Sequence, residues 1–151
     1  MISRALLLIG FLLPCITALA SVSASAAVLI SSEEAKLPPP KGGAVAIDRR
    51  GVTRAPKVIL LSNTEPVHSP IHLQLKFESF GGTKIDENSV KVTFLRTPNV
   101  DLTPRVKSFV QATGIDMPDA ELPAGDYTLR VDVKDTDGRI GSMSFVLQVQ
   151  P

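Results

Sequence analysis

Four stretches of the chain alternate apolar and polar side chains with a period of two. In IHLQLKFES, Ile71, Leu73, Leu75 and Phe77 share one parity, and His72, Gln74, Lys76 and Glu78 the other. SVKVTFLR repeats the pattern with Val90, Val92 and Phe94, and PAGDYTLRVDVK with Tyr127, Leu129, Val131 and Val133. SMSFVLQV closes the series with Met143, Phe145, Leu147 and Val149. Successive side chains of a strand point to opposite faces, so each stretch predicts a strand buried on one side. KVILLS is a shorter apolar run, closed by Asn63, Pro66 and Ser69-Pro70. Gly81-Gly82 marks a turn, and Asp137-Gly138 signals a hairpin because both residue types tolerate positive φ.

Two segments resist this pattern. In 99–122, Thr103 before Pro104 reads as an N-cap with proline opening a helix, and Leu102, Val106, Phe109 and Val110 fall on helical spacing up to Gly114. A brief helix is the preferred reading there, with a crossover strand over VKSFVQ as its rival. Asp116, Asp119 and Glu121 in GIDMPDAE read as an acidic loop. In 27–56, SSEEAKLPPPKGG combines consecutive prolines with a glycine pair and reads as a linker. The competing assignment is an edge strand over AVAID, residues 44–48. No amphipathic helix is long enough to cover a parallel sheet. The expectation is therefore an all-β domain over 57–150, two packed antiparallel sheets of about six to seven strands with one short helix.

Composition narrows the setting. Arg4 followed by the apolar run ALLLIGFLLPCITALA reads as an export signal covering residues 1–26. Ala24-Ser25-Ala26 is the preferred cleavage site and Ala18-Leu19-Ala20 the second. Pro14 stands where a lipoprotein signal needs a small residue, which argues against a lipid anchor at Cys15. Cleavage would leave a chain without thiols, periplasmic or extracellular, with no membrane span and no disulfide. The chain has 16 Lys and Arg against 15 Asp and Glu, and no Trp. Losing Arg4 leaves 15 of each, so no strong field recruits nucleic acid.

Candidate chemistry is sparse. His68 and His72 are the two histidines. Pro70 prevents a helix between them, and on extended chain they stand ~13 Å apart, too far to share a metal. DTDG at 135–138 resembles part of a calcium loop, but Val133 and Ser144 stand where that loop needs acidic ligands. No histidine is placed beside an acid and a serine in a catalytic frame, and no Gly-rich phosphate loop follows a strand. These absences point to a protein without catalytic residues, metal or cofactor.

Gly125, Tyr127 and Leu129 stand at the spacing of a tyrosine corner, in which a tyrosine near the start of a strand bonds back to the backbone upstream. Residues 122–149 resemble the closing hairpin of bacterial immunoglobulin-like modules, a group that includes fibronectin III-like domains, in exported proteins. The likeness spans about 57–150. Leu129 occupies the place of the disulfide cysteine, there is no core tryptophan, and Pro123 replaces an acidic residue. The resemblance implies an immunoglobulin-like sandwich in which Tyr127, Gly125, Leu129, Asp137 and Gly138 serve the fold. It implies a non-enzymatic module that binds an envelope or secreted protein or a polymer. The alternative is a small periplasmic carrier of a metal or ligand, drawing on His68, His72 and the acidic 116–121 segment.

Overall fold

The computed structural model describes residues 26–41, 54–62 and 66–151. The expected export signal up to residue 25, and the candidate edge strand 44–48, lie outside the described residues. The described residues are mostly β, arranged in two sheets with two short helices.

Among the described residues, six strands of four or more residues carry the fold. They are β2 (Lys57–Leu60), β4 (Ile71–Glu78), β5 (Ile85–Phe94), β8 (Gly114–Glu121), β9 (Gly125–Asp135) and β10 (Ile140–Gln150). Four two-residue strands trim the edges: β1 (Ala27–Val28), β3 (Val67–His68), β6 (Val100–Asp101) and β7 (Val110–Gln111). The first sheet runs β1-β8-β4-β2, with β7 also on β8, and the second runs β3-β10-β9-β5-β6. The long strands pair antiparallel, as expected, whereas β1 on β8 and β3 on β10 are parallel. Those parallel contacts need only two residues each, so they require no covering helix.

Alternation delivers the core. Ile71, Leu73, Leu75 and Phe77 from one sheet meet Phe94, Leu129, Val131 and Leu147 from the other in a single apolar cluster. Phe94 and Leu129 pair across β5 and β9, Leu129 and Phe145 across β9 and β10, and all three are buried. Burial at ~25 cal/mol per Å2 of apolar surface makes this cluster the main stabilising element of a domain without disulfides.

The segment expected to be an acidic loop is instead β8, a strand flanked on both sides. Ile115, Met117 and Ala120 enter the core while Asp116 and Glu121 face out. Proline and three acids disguise it, because both are poor strand formers. Pro118 has no N–H, and the ladder accommodates it with a bulge. Leu73 pairs with Met117 and Ile71 with Ala120, so β8 fits one extra residue between those pairs.

A helix does begin at Thr103, but α2 (Thr103–Val106) is one turn that tightens into a 3-10 turn at Lys107–Phe109 before β7. Its N-cap is Leu102 rather than Thr103. The Thr103 hydroxyl instead accepts the Val92 N–H at 3.1 Å, tying the helix to β5. Gly114 opens β8 rather than closing the helix.

Residues 27–40 are not a free linker. Ala27 and Val28 pair with Ala120 and Glu121, and Leu29 and Ile30 are fully buried in the shared core. Ser31 then caps α1 (Ser32–Ala35) in a reciprocal capping box with Glu34. Further on, Thr97 donates its N–H to the Pro38 carbonyl at 3.1 Å. The sequence reading missed this because LPPP looks like a spacer, while the anchoring residues sit just before it.

Candidate functional site

The histidines are the starting point. At the end of β2 the chain leaves the first sheet and reaches the second at β3. Ser62 marks the departure: its Oγ accepts the Gln74 N–H at 2.5 Å and donates to the His72 carbonyl at 2.8 Å. One hydroxyl thus continues the β2–β4 ladder for a residue beyond the strand. The split between the sheets holds a cavity of about 480 Å3, lined by Leu61, Ser62, His68, Pro70, His72 and Leu147 among others.

The structure therefore brings His68 and His72 to one cavity, which extended-chain spacing did not anticipate. A bend at Ser69-Pro70 interrupts the extended chain assumed for that distance. On the outer face of β4, His72 Nε2 lies 2.5 Å from Asp116 Oδ1 of β8, and Gln74 Nε2 donates to the same oxygen at 3.5 Å. The hydrogen bond from His72 holds the Asp116 carboxyl below the ordinary carboxylate range. When the imidazole is neutral, an ionised Asp116 selects the tautomer with the proton on Nε2 and leaves Nδ1 as the acceptor. Sequence reasoning found no acid beside a histidine because these partners are 44 residues apart. A matching parity on two neighbouring strands was the available signal, and it depends on recognising β8.

The arrangement does not assemble a nucleophilic triad. The Ser62 hydroxyl is committed to the β4 main chain, not to the imidazole. Among the described residues, no group of three or more His, Cys, Asp or Glu is placed to hold a metal ion.

A second cavity of about 500 Å3 shares Pro70 with the first and lies between residues 28–32 and the β8–β9 connection. Val28, Ile30, Ser69, Glu121, Leu122 and Pro123 are among its walls. Ser69 Oγ accepts the Leu122 N–H at 3.1 Å, joining the β3–β4 turn to this connection.

The residues expected to serve the fold occupy opposite ends of β9. Tyr127 is buried and donates its hydroxyl to the Pro123 carbonyl at 2.8 Å. Its ring lies 5.5 Å from that of Phe94, tilted by 57°. Burial pushes the Tyr127 phenol above its ordinary pKa. Tyr127 also pairs with Leu147, which lines the first cavity, so this corner supports the wall of the crevice. A side chain on Gly125 would meet the Tyr127 hydroxyl at 3.3 Å. Leu129 is fully buried beside them.

At the other end, Gly138 has φ +80° and donates its N–H to the Asp135 carbonyl at 2.9 Å. Asp137 keeps negative φ, so the turn has one left-handed residue and not the two that Asp-Gly suggested. This is the three-residue hairpin geometry, a tight turn followed by a left-handed glycine. Its organiser is the buried Asp135, which the sequence singled out only as part of the calcium-like DTDG. Its Oδ1 accepts N–H groups from Asp137 at 3.0 Å and Arg139 at 2.8 Å. Its Oδ2 accepts from the Thr83 hydroxyl and the Arg139 guanidinium, both at 3.4 Å. Four donors satisfy this buried carboxylate, which explains how it can be buried at all.

No protein-family model matches the chain, and no curated protein matches it either.

Proposed function

We propose that this chain is exported and acts as a non-enzymatic, immunoglobulin-like binding module of the periplasm or cell envelope, engaging another protein or a polymer. The leader-like residues 1–26 support export. Strand order supports the immunoglobulin-like reading: β4 and β8 lie together in one sheet and β5, β9 and β10 in the other. The bond from Tyr127 to Pro123 fits the corner of that fold.

The observation that carries a binding role is the crevice beside His68 and His72. It places exposed polar groups next to apolar walls at an edge between the sheets, while its serine is engaged in structure. Proximity labelling in the intact envelope tests the reading. A reproducible neighbour, lost when the domain carries Leu61→Arg, is expected. Labelling indistinguishable from that of an unrelated exported domain would overturn it.

One observation favours a carrier of a metal or small ligand as second reading. His72 has a carboxylate behind one ring nitrogen, the arrangement that orients metal-binding imidazoles, and His68 lines the same cavity. Metal analysis of native-purified protein, with melting curves in zinc, copper and calcium, separates it from the first. Absence of both bound metal and any melting shift would remove a metal carrier.

A further inference from the structure

Resting on the binding-module reading, we infer that the surface running from Leu61 across Pro70 to Val28 is a docking groove for an extended, basic and apolar segment of a protein partner. Two cavities of similar size, about 480 and 500 Å3, share Pro70 as a wall. Leu61 lines the first and Val28 the second, and these large apolar side chains are 57% and 51% exposed. Ile71 and Leu147 back the first cavity, Ile30 and Leu122 the second. A single small molecule would fill one chamber. Two chambers in series suit a chain that sends one side chain into each, since alternate residues of an extended peptide project to the same side about 7 Å apart.

Charge selects the occupant. Among the described residues, no lysine or arginine lines either cavity, whereas Glu121 lines the second and Asp116 flanks the first through His72. A segment with Lys or Arg between its apolar residues complements that surface. Strand addition to the nearby β8 edge is blocked. The two ends of that edge carry β1 and β7, and Pro118 between them offers no N–H. Recognition therefore rests on side-chain capture and not on a new ladder.

The test titrates 15N-labelled processed protein with a ten-residue peptide alternating Leu and Lys, and with its Leu/Glu counterpart. Amide shifts at Val28, His72, Leu122 and Leu147 are expected with the basic peptide alone. The double variant Asp116→Asn with Glu121→Lys is expected to weaken binding about tenfold, and added salt to weaken the native interaction. Equal response to both peptides, shifts confined to other surfaces, or no response at millimolar peptide would each overturn the groove. A second experiment isolates this inference from the wider reading by placing photo-reactive residues at Leu61 and Val28 and, as control, at Lys91, exposed on β5 in the second sheet. Cross-links at Leu61 and Val28 that the basic peptide competes away uphold both. Uncompeted cross-links there, or cross-links at Lys91 alone, remove the groove and leave the binding module. None at any position removes both.

Discussion

Arg105 grips Glu34 with both arms of its guanidinium, each N–H donating to a different carboxylate oxygen at 2.7 Å across 71 residues of sequence. The same Nη1 also donates to the Leu29 carbonyl at 2.8 Å. One side chain on α2 therefore holds both the buried Leu29 and the capped turn at α1. Its hydrogen bonds draw Glu34 down to about 2 from an ordinary 4.5.

That shift has a definite pH consequence. A carboxyl whose folded pKa is depressed stabilises the fold fully above its unfolded value and loses that contribution as pH falls through the folded one. Glu34 should therefore support the native state above pH 4.5 and cease to do so as pH approaches 2. The pair is partly solvent-screened, so we expect Glu34→Gln to cost about 1–2 kcal/mol at pH 7. The penalty should vanish near pH 2. Chemical denaturation of both proteins at several pH values measures it, and an unchanged penalty at low pH would contradict the assignment.

Leu29→Ala is expected to destabilise the domain by about 2–4 kcal/mol, as for other fully buried leucines. A linker residue would cost almost nothing. Comparing denaturation midpoints of the native chain and the variant decides the point.

Tyr127→Phe keeps the ring packing against Phe94 and removes only the bond to Pro123. Losing a hydrogen bond and stranding its acceptor should cost about 1–2 kcal/mol. Thermal melting at neutral pH reads this directly. A neutral outcome would mean that water replaces the phenol at Pro123.

Two glycines of the closing hairpin should both lose stability on substitution, but by different amounts and for different reasons. Gly138 is left-handed with open space around it, so Gly138→Ala should cost only about 1–2 kcal/mol of backbone strain. Gly141 has no room: a Cβ would stand 1.7 Å from the Pro56 carbonyl oxygen. Gly141→Ala must push β10 away from the chain leading into β2. Its cost should exceed that of Gly138→Ala by at least about 2 kcal/mol or prevent folding altogether. Soluble yield and denaturation curves of the two variants make the comparison.

His72→Ala should return the Asp116 carboxyl upward toward 3.8 by removing its principal hydrogen bond. Carbonyl-detected NMR titration follows Asp116 directly. If its titration stays in place, the pairing across β4 and β8 is not formed in solution.

The sequence alone determined the long strands whose alternation is clean. In β4, β9 and most of β10, side-chain parity states which face is buried whatever the partner strand. Tyr127 and Gly138 were also legible, because each acts on backbone only a few residues away. β8 was not, since Pro118 and three acids obscure a pattern that shows itself only once Ile115, Met117 and Ala120 have a core to face. Leu29 and Ile30 were hidden for a similar reason, lying between a leader-like stretch and a run of prolines. Tertiary structure alone joined Asp116 to His72 and Arg105 to Glu34, and gave the two cavities Pro70 as a shared wall. Local pattern encodes which way a side chain points. What it meets there depends on which strands become neighbours, and that choice is made by burial summed over the whole chain.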